Sequence, residues 1–431
     1  MMYQAWGPAG QTSPIPSVSI NLRTALQWTL TRNPTLATLR QDIPVSAAAW
    51  ALASRFPTSL NPTVSLTLQP WTFVPAPGGG GNFGQTLVNI QWSQPIELPY
   101  RTNLRAAIAH ASYDQTRFTV LQAELTAMVQ TYQLYQTAVY RRDKLTVSRA
   151  LVDFNDRLVQ TLQRQVAATL ATPADLVLAR VEAQATRQKL EIATHEYVAA
   201  LSDLRAQIGI PQYATTATPI DEMTLPDATL FSDDDALVRL ALTARPEILA
   251  DQAAVVGAQQ AVALARAERW PIPSVGPVAE KDEAGVSYYG FVASVPVPIL
   301  NAGLPLVRQR EAESQRATVA LTQTKQRVAA QVLAVLVKWH DAQKVLRETE
   351  ALVAPVRAET TRMEHLYAAG ESDIIKLLQV RLRLLDTDNG WLDALWTVTQ
   401  NHAELLDAVG VATLLGSLVQ NPEAIPAPRQ R

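Results

Sequence analysis

The order of signals in this amino-acid sequence is written twice, and that duplication limits the available folds more than any other feature. In the first half, Leu30-Thr31-Arg32-Asn33-Pro34 precedes an alanine-rich stretch and then Asn61-Pro62-Thr63-Val64. In the second, Leu242-Thr243-Ala244-Arg245-Pro246 precedes another alanine-rich stretch and then Ile272-Pro273-Ser274-Val275. Gln94-Pro95-Ile96 with Leu98-Pro99, and Val297-Pro298-Ile299 with Leu304-Pro305, each open a long helical pattern. These patterns close on Leu204 to Gly209 and on Leu405 to Gly410. From Thr169 to Gly209 the halves align without gaps, at the spacing of 201 residues that separates Gly209 from Gly410.

The expected fold is therefore mainly α with a small β part, built from a duplicated strand–strand–long helix–long helix unit that follows a shorter helix. The first repeat spans residues 17–210, with a β-hairpin about 62–97 and a helical hairpin about 100–209. A linker rich in Thr, Pro and Asp covers 211–235. The second repeat spans 236–410, with a β-hairpin about 273–299 and a helical hairpin about 304–410. Residues 1–16 and 411–431 read as tails.

The first strand pair alternates in the manner of a two-faced wall. Val64, Leu66 and Leu68 share one face; Thr63, Ser65, Thr67 and Gln69 share the other. After the glycine run Gly78 to Gly81, Val88, Ile90 and Trp92 oppose Gln85, Asn89, Gln91 and Ser93, with Leu87 as the exception. Each run is about ten residues, the length of a tilted membrane-crossing strand, and Trp71 and Trp92 sit near strand ends. A soluble half-buried hairpin has the same alternation. In the second pair Tyr288 and Tyr289 blur the pattern, and Glu280-Lys281-Asp282-Glu283 marks an exposed tip. Four strands per chain are too few to close a barrel, so a membrane role requires several chains to share one.

The helices carry sustained coiled-coil spacing. Phe118, Leu121, Leu125, Met128, Tyr132, Tyr135 and Val139 step by three and four. A second stripe runs Leu176, Ala179, Ala183, Thr186, Leu190, Ala193, Tyr197, Ala200, Leu204. Its counterpart 201 residues on runs from Leu377 to Leu405. The first long helix is expected from Arg101 to about Lys144, with hairpin turns near Tyr140 to Thr146 and Val345 to Leu352. Thr169 to Pro173 and Ala369 to Ser372 are then breaks within the returning helices, because proline and glycine interrupt a helix.

Composition narrows the function classes. A net charge of -2 gives no basic field for nucleic acid. The chain has no cysteine, which excludes disulfides, thiolate metal sites and a catalytic thiol. No uninterrupted apolar run approaches the ~18–20 residues of a spanning helix. The start MMYQAWGPAGQTSPIPS lacks the basic end and apolar core of a signal peptide, so export requires a processed form or a different initiator. The five histidines (His110, His195, His340, His365, His402) show no paired metal-ligand spacing, and five methionines are too few for a methionine ladder. Asp233-Asp234-Asp235 reads as a helix N-cap rather than a site. No nucleophile–base constellation appears, so no catalytic residue, cofactor or metal is expected.

With Asn33-Pro34, Asn61-Pro62-Thr63-Val64-Ser65-Leu66, Trp92-Ser93-Gln94-Pro95-Ile96, Ala244-Arg245-Pro246-Glu247, Val297-Pro298-Ile299-Leu300-Asn301-Ala302-Gly303 and Tyr367-Ala368-Ala369-Gly370, the chain resembles the TolC-like outer-membrane efflux protein family from about Ser17 to Gly410. Thr169 stands where that family usually has Gly, so the first bend is expected to differ. The resemblance implies a homotrimer whose twelve strands form an outer-membrane β-barrel, continued by a long α-helical coiled-coil barrel in the periplasm. It implies a passive duct of a tripartite efflux or type I secretion system for small molecules or metal cations, docking to a periplasmic adaptor (a membrane fusion protein) and an inner-membrane pump. The second half is closer to heavy-metal cation efflux subunits than to multidrug or protein exporters. Because such tips form entrance gates and adaptor grooves, Arg141, Arg142, Asp143, Arg347, Glu348 and Glu350 are the candidate gate and adaptor-contact residues; the plain alternative is a solvated turn. Competing readings are a soluble periplasmic coiled-coil scaffold without transport activity, and a membrane-fusion adaptor, for which the lipoyl-like and β-barrel segments are missing.

Overall fold

The structure, a computed structural model, describes residues 17–55, 57, 60–69, 73–75, 81–83, 86–97, 99–169, 171–210, 216–223, 225, 233–282 and 284–410. In chain order the elements are β1 (Ser17–Ile20), α1 (Leu22–Arg32), α2 (Pro34–Arg40), α3 (Asp42–Ala53), β2 (Thr63–Gln69), β3 (Phe73–Pro75), β4 (Gly81–Phe83) and β5 (Leu87–Pro95). Then come α4 (Pro99–Ala167), α5 (Pro173–Ile208), β6 (Thr216–Pro219), α6 (Asp234–Ala244), α7 (Pro246–Glu268), β7 (Ser274–Lys281), β8 (Ser287–Ser294), α8 (Leu304–Ala368) and α9 (Ile374–Val409). Two compact units divide the chain: residues 1–39, 120–246 and 325–431 form one, residues 40–119 and 247–324 the other. Each unit draws on both sequence repeats.

The helical unit is organised by seams. No position of the stripes from Leu176 to Leu204 or from Leu377 to Leu405 is exposed. One core gathers Tyr135, Val139, Leu204 and Ile208 around Ile20 and Ala217. Ile20 and Ala217 come from β1 and β6, a short parallel ladder that pairs the start of the first repeat with the segment expected to be a plain linker. The run Asp233 to Asp235 does cap α6: Asp233 Oδ1 accepts from Ala236 N at 3.0 Å.

The two repeats are locked by the same geometry with different chemistry. Asn33, where α1 meets Pro34, donates Nδ2 to Gln207 O at 2.9 Å. Arg245, where α6 meets Pro246, donates Nη1 to Ala408 O of α9 at 3.1 Å, and Ala408 stands 201 residues after Gln207 in the chain. Each returning helix then ends on a left-handed glycine, Gly209 (φ 79°) and Gly410 (φ 73°). At Gly209 a Cβ would lie 2.4 Å from Arg32 O, so only glycine admits this approach of α1 to α5.

The expected ends of the long helices are corrected. The helix α4 does not stop near Lys144; it runs unbroken to Ala167, about 100 Å at 1.5 Å per residue. The charged run at 141–144 contains no breaker, and Arg and Lys are good helix formers. Likewise α8 continues through Val345 to Leu352 to reach Ala368. The hairpin turns lie at 168–172 and 369–373, the segments read from sequence as breaks within the returning helices. Among the described residues α7 is long and apolar enough to cross a membrane by length and composition, although Asp251, Gln252, Gln259 and Gln260 interrupt its apolar run as the sequence showed. Its apolar content is mostly alanine and valine, with Ile248, Leu249 and Leu264, and its Gly257 lets α4 approach: a Cβ there would lie 3.3 Å from Ala111 Cβ.

A second cluster crosses the helical seams. Tyr132 of α4 places its hydroxyl 3.3 Å from His402 Nδ1 of α9, and Trp339 of α8 lies 5.4 Å from the His402 ring. Burial lowers the His402 pKa from 6.5 to about 4. Between these values the unfolded chain binds a proton that the folded chain refuses, so stability falls as pH drops from 6.5 towards 4. The expected loss from pH 7 to pH 5 is about 2 kcal/mol per chain. His402→Phe should flatten this dependence in heat-dissociation midpoints measured across that range. An unchanged slope in the variant would show that His402 does not carry it.

Candidate functional site

The sheet of the second unit joins both β-hairpins. Its order is β2-β5-β7-β8, antiparallel throughout. The register turns separate alternations into two continuous faces, because residues directly opposite share a face. One row runs Val64, Trp92, Pro277, Phe291; the next runs Leu66, Ile90, Ala279, Tyr289. Leu68 and Val88 extend this apolar face, while Lys281 and Ser287 end it at the tip. The reverse face carries Thr63, Ser65, Thr67 and Gln69, then Ser93, Gln91 and Asn89, and Glu280, whose Oε2 accepts from Asn89 Nδ2 at 3.3 Å. Tyr288 and Tyr289 fall on opposite faces, which resolves the blur in the second hairpin.

The apolar face is bare. Val64 is 72% exposed, Leu66 57% and Phe291 88%. At about 25 cal/mol per Å² of apolar surface, water is an unfavourable neighbour for such a face, and a hydrocarbon solvent is a favourable one. The edges are equally telling: β2 and β8 each pair on one side only. Between β5 and β7 the ladder skips Trp92 and Ser93, opposite Pro277, which has no N–H, and Gly276. Gly276 fits where little else does, since a Cβ would fall 1.7 Å from Trp92 O. Trp71 and Gly78 to Gly80 lie outside the described residues; Gly81 opens β4, which pairs with β3.

The six candidate charges are not at hairpin turns. Arg141 pairs with Glu196 of α5 at 2.6 Å and lies over the Tyr140 ring. Arg142 donates to Pro219 O at 3.0 Å and Asp221 O at 2.9 Å, tying the chain after β6 to α4, and its Nε meets Asp143 at 3.0 Å. Burial raises the Asp143 pKa against the pull of Arg142. Arg347, Glu348 and Glu350 lie exposed along α8, and among the described residues Arg347 bonds within its own helix, to Gln343 O. The first three are engaged mid-helix and the second three are solvated.

The turns themselves have other residues. At the first, Thr169 takes a left-handed backbone (φ 60°), and 201 residues later Gly370 takes the same one (φ 77°). The bend that was expected to differ is therefore kept, with a β-branched residue under strain in place of glycine. Thr172 and Asp175 form a reciprocal capping box that starts α5. Beside the turns Leu158, Leu162, Ala179, Ile374 and Leu378 form one apolar cluster. Arg381 of α9 pairs with Glu364 of α8 and lies 4.1 Å over the Phe154 ring of α4; burial lowers its pKa, with Arg157 adding to the effect. Nothing local in the sequence marks Arg381 as facing a helix more than two hundred residues away. Further along, Asp156–Arg187 (2.7 Å) joins α4 to α5, and Arg357–Asp388 (3.0 Å) joins α8 to α9 at positions 201 residues on, with the charges exchanged.

A bare apolar sheet face, a polar reverse and two open edges define a subunit of a membrane-embedded, multi-chain barrel. The sequence matches the family described as outer membrane efflux protein over residues 25–210 and 237–411, and the chain belongs to that family. Among curated protein sequences none gives a significant match. Among solved structures, CusC shares the fold at TM-score 0.73 with 16% identity, covering 94% of this chain and 95% of that one. The CmeC outer membrane channel of Campylobacter jejuni follows at 0.69 and 13%, covering 95% and 93%. The open-state MtrE outer membrane channel of Neisseria gonorrhoeae gives 0.66 and 17%, covering 95% and 98%. This chain is an outer-membrane channel subunit that extends into the periplasm, and the soluble-scaffold reading is set aside.

Two substitutions test this geometry. Gly276→Ala should separate β5 from β7 and cost at least about 2 kcal/mol, seen as loss of the heat-resistant oligomer on gels. Thr169→Gly should relieve about 1 kcal/mol of backbone strain and raise the dissociation temperature, whereas Gly370→Ala, with open space around it, should lower it by a similar amount. A neutral Thr169→Gly would mean that the first turn is not left-handed in the assembled protein.

Proposed function

We propose that three copies of this chain close a twelve-stranded barrel in the outer membrane and act as a passive, non-enzymatic duct for efflux. The observation that carries this reading is the four-stranded sheet with one bare apolar face and unpaired outer edges on β2 and β8. Three such sheets, joined β8 to β2, leave no unpaired backbone in lipid. The helical unit supports the same count. Its α8 is buried along a single stripe, Val328, Val332, Val335, Trp339, Ala342 and Leu346, and exposes Leu333, Val337, Val345 and Leu352. On α5, Val177, Val181, Ile192 and Val198 are likewise bare. These are the flanks through which neighbouring copies would complete a ring of helices.

A periplasmic adaptor and an inner-membrane pump are the expected partners, and the turns at 168–172 and 369–373 replace the 141–143 and 347–350 segments as the proposed docking and gating end. Cargo choice is assigned to the pump. The fold likeness to CusC and to OprN is the same, 0.73, so it does not favour the metal-cation branch.

The absence of native cysteine makes the test clean. Detergent-extracted protein should sediment at three times its chain mass of 47.1 kDa. Single cysteines placed on β2 and on β8 should cross-link between copies, and the oligomer should conduct in planar bilayers. A water-soluble monomer that needs no detergent would overturn the proposal.

A further inference from the structure

The apolar face of the sheet does not end where β8 ends. Counting by twos from Tyr289 and Phe291, the same parity continues through Val295, Val297 and Ile299. All three are exposed, and Leu300 beside them is 101% exposed. Pro296 and Pro298 remove two backbone donors from this stretch, and Ile299 N is satisfied within it by Val297 O at 2.9 Å. A segment so poor in free N–H groups is badly suited to receive another strand and well suited to an apolar solvent.

Next to it lies a cavity of about 580 Å³, walled by Arg269, Trp270, Val295 and Val297 with intervening prolines. Trp270 is 71% exposed. Arg269 is held by its Nε, which donates to Ala302 O at 3.2 Å. It also packs on Gly303 (φ 74°), where a Cβ would sit 3.1 Å from Arg269 Cγ. Its terminal nitrogens have no protein partner among the described residues. An aromatic ring, a clamped guanidinium and a greasy strip at the foot of a lipid-facing sheet match the order of a lipid, from headgroup to acyl chain.

We infer that this cavity binds one phospholipid of the periplasm-facing leaflet, its phosphate on Arg269 and an acyl chain along Trp270, Val295 and Val297. The inference rests on the sheet being the membrane element. It adds a defined lipid site at the barrel's foot, where a bare hydrophobic belt would contact lipid only non-specifically.

The test uses full-length oligomer in nanodiscs, with insertion and oligomer mass established first for every variant. Failure at that stage counts against the barrel reading rather than against the lipid site. Native mass spectrometry should then find phosphatidylethanolamine retained at about one per chain. Arg269→Gln should cut retention about fivefold, roughly 1 kcal/mol, with oligomer mass unchanged. Diacylglycerol should not substitute for the phospholipid, and inorganic phosphate should not compete with it. Leu300→Cys, labelled with a fluorophore, should be quenched by bromo-acyl phospholipid. Equal retention by Arg269→Gln, or competition by free phosphate, would overturn the site. So would an unquenched label that instead cross-links between copies, because a neighbouring subunit would then occupy the strip.

Discussion

Backbone hydrogen bonding at the two sheet edges is the constraint on which the rest depends. In water an open edge is tolerable, because solvent supplies the missing partners. In hydrocarbon each unpaired N–H or C=O costs several kcal/mol, and β2 and β8 present a full row of them. Among the described residues a single chain has four strands in its membrane sheet. It cannot relieve the penalty by folding better, only by meeting another copy. Oligomerisation is therefore a condition of the sheet existing in lipid at all, and a hollow axis follows from closing it.

The duplication shows which features of the design are geometric and which are chemical. Asn33 and Arg245 differ in size and charge, yet each reaches from a proline-ended helix to a carbonyl near the end of a returning helix. Thr169 and Gly370 differ in everything but their backbone conformation. Asp156–Arg187 and Arg357–Asp388 keep an ion pair between hairpin arms while exchanging its polarity. Pairs this exposed contribute little stability individually, on the order of 0–1 kcal/mol. The exchange does have a consequence: α4 and α9 then carry acidic groups at this level, while α5 and α8 carry basic ones, so the two hairpins are electrostatically distinct although their seams are nearly alike.

Local periodicity was legible in the sequence, and long-range partnership was not. The alternation of Val64, Leu66 and Leu68 with Thr63, Ser65 and Thr67 is a property of seven adjacent residues, and the register preserves it. The three-four seams are similarly local. The union of the hairpins through β5 and β7 joins residues such as Ile90 and Ala279, far apart in the chain, and no sequence signal announces it. Arg141 to Lys144 looked like a turn because their partners are remote: Glu196, Pro219, Asp221 and Asp393. Without those partners in view, a charged run resembles a solvated bend. The true turn at Thr169 was hidden for the opposite reason, because threonine seldom adopts a left-handed backbone and glycine is the residue that usually reveals it.

The reverse face of the sheet bears on what such a wall can do for a passing molecule. The first hairpin lines it with Thr63, Ser65, Thr67, Asn89, Gln91 and Ser93, neutral groups that both donate and accept hydrogen bonds. The second adds Val278, Val292, Tyr288 and one carboxylate, Glu280, already engaged by Asn89. Neutral hydroxyls and amides exchange hydrogen bonds with water at almost no net gain, so they hold neither anions nor cations strongly. A wall that binds nothing tightly imposes no deep well on transit, and conduction requires sites that release as readily as they admit. On the proposed reading as a passive duct, the described strand wall contributes little selectivity, and discrimination by the assembly arises where charge and closure are available.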